Sequence, residues 1–144
     1  MPSWTYNGRI VNEISDMPEG TFGFIYEVTH RPTLRKYIGK KVLQFERTLP
    51  PLKGEKRKRK VTKESDWKDY YGSHAEIKAL IKEKKQDEFE KRILCFVKTK
   101  KLLTYYETKY LFINEVLENR NNYINDNVLG KFYRKDFLIE QSDD

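Results

Sequence analysis

Between Thr21 and Val42 the chain reads TFGFIYEVTHRPTLRKYIGKKV, two alternating runs separated by a basic, proline-containing turn. Period two places Phe22, Phe24, Tyr26 and Val28 on one face of the first run, Thr21 to His30. The second run, Arg35 to Val42, returns across "RPTL", so the pair reads as an antiparallel hairpin. Each arm carries a tyrosine and a glycine, and the second runs straight into Lys40 and Lys41.

The segments around this hairpin read less sharply. "SWTYNGRIVNEI" alternates weakly, with Trp4, Tyr6, Ile10 and Ile14 apolar, and suggests an accessory strand or packing arm ahead of the turn residues "DMPEGTFG". "ESDWKDYYGSHAEIKALIKEKK" opens with capping residues, and Ile77, Leu80 and Ile81 then share one helical face. "ILCFV" fits a buried strand beside the hairpin, with Cys95 as core. The longest predicted helix is "KKLLTYYETKYLFINEVLENR", where Leu103, Tyr106, Tyr110, Ile113 and Leu117 recur at spacings of three and four. The order strand, strand, helix, strand, helix describes a small α/β (α+β) sandwich.

The 144 residues are 38% hydrophobic and 14% aromatic, enough for one modest core. A single domain is expected over 1–144, with its core at about 21–130, an N-terminal extension at 1–20 and a tail at 131–144. No membrane span or secretory signal is readable, which points to the cytoplasm, and the two distant histidines offer no zinc spacing. The net charge of +7 is concentrated in "KGEKRKRKVTK", where Lys53, Lys56, Arg57, Lys58, Arg59, Lys60 and Lys63 face a single glutamate. With no apolar periodicity, this stretch is expected to be a flexible arm that lies along a polyanion such as nucleic acid. Such an arm supplies affinity without sequence choice.

Glu107 is the odd residue of the long helix. At about 100° per residue it falls between Leu103 and Leu111, inside the apolar arc. A carboxylate there should meet something positive, because burying an unpaired charge costs several kcal/mol. It serves either a salt bridge or cap, or else metal ligation or acid/base work.

Gly23-Phe24-Ile25-Tyr26, followed after ten residues by Tyr37-Ile38-Gly39, resembles the two-part signature of the GIY-YIG nuclease superfamily, with Phe24 inserted after the first glycine. "WKDYYGS", a helix, an apolar strand, a glutamate on a long helix and an asparagine in "NNYINDN" follow in the order that superfamily shows. The stretch between Gly39 and Trp67, with "DYYGS" and "YYETKYLF", is most similar to its phage branch, the SegE-type homing endonucleases. The resemblance implies a small three-stranded antiparallel sheet flanked by helices, and hydrolysis of DNA phosphodiesters with one Mg²⁺ (or Mn²⁺). By motif, Tyr26 and Tyr37 match the signature tyrosines, Glu107 the metal-binding glutamate and Asn125 the late asparagine. In the family mechanism the first tyrosine takes a proton from the attacking water. A phenol does so at neutral pH only if cations lower its pKa, and Lys40 and Lys41 are the candidates.

Many members also carry an arginine on the first helix. Here either a lysine after Gly39 or Arg47 stands in its place, or the active site is incomplete; either Tyr70 or Tyr71 supplies a later hydroxyl or Tyr70 packs with Trp67 as core, and His74 reads as a capping or surface residue rather than a ligand. No helix-turn-helix, zinc finger or long linker is present to read bases. The resemblance therefore implies a weakly or structure-selective nuclease, or one that borrows specificity from a protein partner. Two other classes stay open: a DNA-binding module of the same fold without hydrolysis, and an RNA-binding accessory protein.

Overall fold

The computed structural model describes residues 1–141, with side chains described through residue 137. The hairpin forms as β3 (Gly23–His30) and β4 (Arg35–Val42), paired so that Tyr26 lies opposite Gly39 and Gly23 opposite Val42. The apolar strand is β7 (Phe89–Val97), antiparallel to the other edge of β3. A bulge skips Leu94 between the pairs Tyr26–Ile93 and Ile25–Cys95. Two successive residues, Leu94 and Cys95, therefore turn to the same side of the sheet.

The sheet has five strands rather than the three expected. β1 (Trp4–Tyr6) pairs in parallel with β7, and β2 (Arg9–Val11) folds back on β1, giving the order β2-β1-β7-β3-β4. The weakly alternating N-terminal stretch is thus sheet. Trp4 is 1% exposed, and its indole N–H donates to the carbonyl of Trp67 at 2.6 Å.

One face of the sheet packs Phe24, Tyr26, Val28 and Ile93 against Trp67, Tyr71 and Ile77 of α1 (Ala75–Lys82). The other packs Ile25, Ile38 and Val97 against Leu103 and Leu111 of α2 (Lys100–Ile113). Phe22, expected beside Phe24, packs with this second cluster instead, because it precedes β3 and its backbone links to Val97 and Leu43. Ile113 is 65% exposed rather than core. It sits roughly 120° from the centre of the Leu103–Leu111 arc, and the helix stops there, so Leu117 is buried from the turns that follow. The Asn-rich segment then runs along the free edge of β4 through backbone bonds between Lys36 and Asn122 and between Ile124 and Lys36. A small hairpin of β8 (Asn127–Val128) and β9 (Phe132–Tyr133) leads into α3 (Arg134–Gln141), a helix within the expected tail.

The basic stretch also departs from expectation. It is half ribbon: β5 (Gln44–Leu49) and β6 (Arg59–Glu64) pair antiparallel over six residues each, and only 50–58 form a loop. Hydrophobic periodicity missed it because neither of its faces is buried, whereas the backbone ladder needs no apolar side chain.

Lys91 of β7 is 1% exposed and lies between the rings of Trp4 and Tyr71, with its ammonium 4.3 and 4.2 Å from their centroids. It donates to the Lys68 carbonyl at 2.9 Å. Burial drives its pKa down to about 7, against a smaller opposing pull from Asp69. Between that value and the usual 10.5, the unfolded chain binds more protons at this site than the folded one. Stability therefore rises with pH across that window, at up to about 1.4 kcal/mol per unit. Urea unfolding of wild type and Lys91→Met from pH 6 to 9.5 checks this: wild type should gain stability relative to the variant as pH rises. Parallel curves would refute the buried titration.

Candidate active site

The two signature glycines exist to let other groups lie where a side chain would be. A Cβ on Gly23 would stand 2.5 Å from the Lys41 carbonyl oxygen and about 3.2 Å from Leu103. One on Gly39 would strike the hydroxyl of Tyr26 and come within 2.6 Å of its Cζ. The Tyr26 ring thus lies across Gly39, enclosed by Trp4, Phe24, Tyr37 and Tyr70 at centroid distances of 5.3, 6.3, 6.3 and 5.9 Å.

A cleft of about 410 Å³ straddles the edge of β4, lined by Tyr37, Ser73, His74, Glu107, Asn125 and Asp126 among others. Its position explains how groups from opposite faces of the sheet meet. Tyr37 comes from the α1 side, where its hydroxyl bonds Ser73 Oγ at 2.9 Å. Glu107 comes from α2, with its side chain 18% exposed and one oxygen 3.9 Å from Lys40 Nζ. Burial raises the Glu107 pKa, and Lys40 opposes the rise. Lys40 also donates to Thr104 at 3.3 Å.

Alternation along β4 separates the two lysines. Lys41 points to the opposite face, 2.5 Å from Asp66 and 3.9 Å above the Tyr70 ring. The two lysines contact Glu107, Asp66 and the Tyr70 ring rather than either signature phenol. Burial above all holds Tyr26 well above the usual tyrosine value, and Tyr70, Tyr37 and Glu107 add to the rise. Tyr37 is also raised by burial, with the Ser73 hydrogen bond pulling it back. Burial therefore favours the protonated form of both phenols. Tyr26, at 1% exposure, does not itself line the cleft.

Asn125 is 4% exposed, and its amide pairs with Ile38 at both ends: Ile38 N–H donates to its Oδ1 at 3.1 Å, and its Nδ2 donates to the Ile38 carbonyl at 2.8 Å. The side chain continues the ladder along the edge of β4 and so holds Tyr37 and Gly39 in place. This makes Asn125 a positioning residue. Arg134 supports it from behind, its guanidinium donating to the carbonyls of Val116, Tyr123 and Asn125.

The sequence favoured a capping or surface role for His74 over a ligand one. His74 does cap α1, its Nδ1 accepting from the Glu76 N–H at 3.0 Å, which fixes the proton on Nε2. That nitrogen donates to Asp126 at 2.6 Å, tying the helix start to the Asn-rich segment across the cleft. Ser73 and Asp126 were missed as site residues, because nothing local couples Tyr37 to Ser73, 36 positions on, or His74 to Asp126, 52 positions on. α1 contains no arginine. Arg47 stands on the exposed ribbon, and Arg35 is engaged with Glu76 at 3.2 Å. Lys40 is the cation paired with Glu107. Tyr70 and Tyr71 pack against Tyr26 and Phe89 respectively. The basic residues expected to bind nucleic acid divide between the loop (Lys53, Lys56, Arg57, Lys58) and β6 (Arg59, Lys60, Lys63), all exposed and away from the cleft.

A family model described as "Putative endonuclease segE, GIY-YIG domain" matches residues 4–128 of the chain. The match begins at Trp4, the first residue of β1. No curated protein and no solved structure matches the chain.

Proposed function

The chain belongs to the GIY-YIG endonuclease domain family of SegE, and from that membership, which implies a nuclease, we propose a phage-type DNA endonuclease that depends on a divalent cation, Mg²⁺ or Mn²⁺. The observation that carries this reading is Glu107, an underpartnered carboxylate at the centre of an otherwise apolar helix arc, opening into the same cleft as Tyr37. Among the described residues no group of three or more His, Cys, Asp or Glu side chains is placed to hold a metal. Of the two carboxylates lining the cleft, Asp126 is bonded to His74 at 2.6 Å, which leaves Glu107 as the anionic oxygen ligand on offer. This suits a hard cation that keeps several waters and takes further oxygens from phosphate.

Such a cation supplies charge neutralisation at the phosphate and acidifies water. Glu107 would hold it. Lys40, beside Glu107, balances charge on the same phosphate, and Tyr37, held by Ser73, donates a hydrogen bond to a phosphoryl oxygen as negative charge develops there. Tyr26 and Asn125 act beneath them: the first forms the floor under Gly39, and the second locks Ile38. The proposed setting is the host cytoplasm, and the structure has no helix long and apolar enough to cross a membrane among the described residues.

A second reading, a DNA-binding module without hydrolysis, draws on the lack of an arginine in α1. Supercoiled plasmid separates the two. Wild type with Mg²⁺ should nick or linearise it, EDTA should stop this, and Tyr37→Phe should cut about two to three decades more slowly, as for loss of one transition-state donor. Salt-sensitive DNA binding without cleavage in any metal would favour the binding module. Cleavage that survives EDTA would remove the cation.

A further inference from the structure

The ribbon of β5 and β6 stands clear of the core. All six residues of β6 and five of the six in β5 are exposed, so no buried face accounts for it. An isolated two-stranded ribbon is marginal in water, and one that a fold keeps without packing it has its partner elsewhere.

The register shows how its charge is sorted. Phe45 pairs with Lys63, Arg47 with Val61 and Leu49 with Arg59, so one face carries three cations, three apolar side chains and no acid. The opposite face carries Gln44, Glu46 and Thr48 against Glu64, Thr62 and Lys60, where Lys60 lies 3.9 Å from Glu46. One face is therefore built for a polyanion and the other is not.

The ribbon is also held at its root. Ser65 N–H donates to the Leu43 carbonyl at 2.7 Å, and Ser65 Oγ to that of Val42 at 2.6 Å. This joins the ribbon directly to the end of β4, the strand that carries Tyr37, Gly39 and Lys40. Six residues per strand give roughly 20 Å of reach. Two strands with side chains match the ~12 Å width of a B-DNA major groove and overfill the ~6 Å minor groove.

We infer that the β5–β6 ribbon enters the major groove of duplex DNA beside the cut, with Arg47, Arg59 and Lys63 against the DNA and Val61 and Phe45 against base edges. It thereby sets the distance from the contacted bases to the scissile phosphate. The inference rests on the nuclease reading only in taking duplex DNA as the occupant. It supplies the base-reading element for which the sequence showed no separate domain.

The test is equilibrium binding of the full chain to a mixed-sequence 30-base-pair duplex in EDTA, with salt varied, alongside plasmid cleavage in Mg²⁺. Arg47→Gln/Arg59→Gln/Lys63→Gln should lower the slope of log affinity against log salt by about 2.7, at roughly 0.9 per lost phosphate contact. Lys78→Gln/Lys82→Gln/Lys84→Gln on and beside α1, an equal change in net charge, should leave the slope unchanged. Methyl green, a major-groove ligand, should displace the wild type, and netropsin, which fills the minor groove, should not. Equal slopes in the two triple variants, displacement by netropsin alone, or equally tight binding to duplex RNA, whose deep major groove excludes a ribbon, would overturn the inference. Ribbon-dependent binding without cleavage would leave the ribbon standing and remove the nuclease. Undiminished cleavage by the ribbon variant would do the reverse.

Discussion

Glu107→Gln is expected to reduce Mg²⁺-dependent plasmid cleavage by about three decades or more while leaving the fold at least as stable as wild type. The loss follows from removing the only anionic ligand that the cleft offers from α2, since a catalytic cation contributes several kcal/mol and each 1.36 kcal/mol is tenfold in rate. The stability forecast follows from the environment. Burial raises the Glu107 pKa above its ordinary 4.5, and Lys40 only partly opposes the rise. For an acid, a raised folded value means that the folded chain binds more protons than the unfolded one. The ionised carboxylate is therefore a penalty at neutral pH, relieved only as pH falls through the raised value. A neutral amide of the same shape escapes it, and Lys40, 41% exposed, is resolvated by water. Cleavage rates and thermal melting at pH 7 check both halves: wild-type cleavage in the variant would remove Glu107 from the chemistry. A large drop in melting temperature would show that its role is packing.

Gly39→Ala should be the most damaging small substitution in the hairpin, destabilising by about 1–3 kcal/mol or more, as overpacking does in a closed core. The added methyl meets the hydroxyl and Cζ of Tyr26, and Tyr26 is caged by four aromatic rings that leave it no other rotamer space. Urea unfolding of Gly39→Ala, Tyr26→Leu and the double variant measures the clash. The double variant should lose clearly less than the two singles added together, because the shortened side chain makes room for the methyl. Additive losses would place the cost of Gly39→Ala elsewhere in the strand.

These two substitutions also mark how far the sequence was legible. Glu107 stood out because it interrupts an apolar arc, a pattern written within eight residues of one helix. The hairpin and α1 were legible for the same reason, each carrying a local period of two or 3.6, although β3 is buried on both faces. β1 left only a weak trace: a three-residue strand, two of whose residues pair with β7 almost ninety positions later, has no local period to display. The ribbon left none, because neither of its faces is buried. Strand alternation alone separates Lys40 from Lys41, a signal readable within two residues.

What the sequence determined by itself was the kind of chain this is: its strand pair with a tyrosine and a glycine on each arm, its long helix with one misplaced carboxylate, its concentrated positive charge and, through these, its family. Tertiary structure alone decided what those groups are able to do. It set Tyr26 under Gly39 with its proton held, spent the Asn125 amide on Ile38, gave Lys40 rather than Lys41 to Glu107, and joined His74 to Asp126. The physical reason is that periodicity is a correlation between near neighbours along the chain. Protonation, hydrogen-bond satisfaction and charge pairing depend instead on which distant residues remove water from a site.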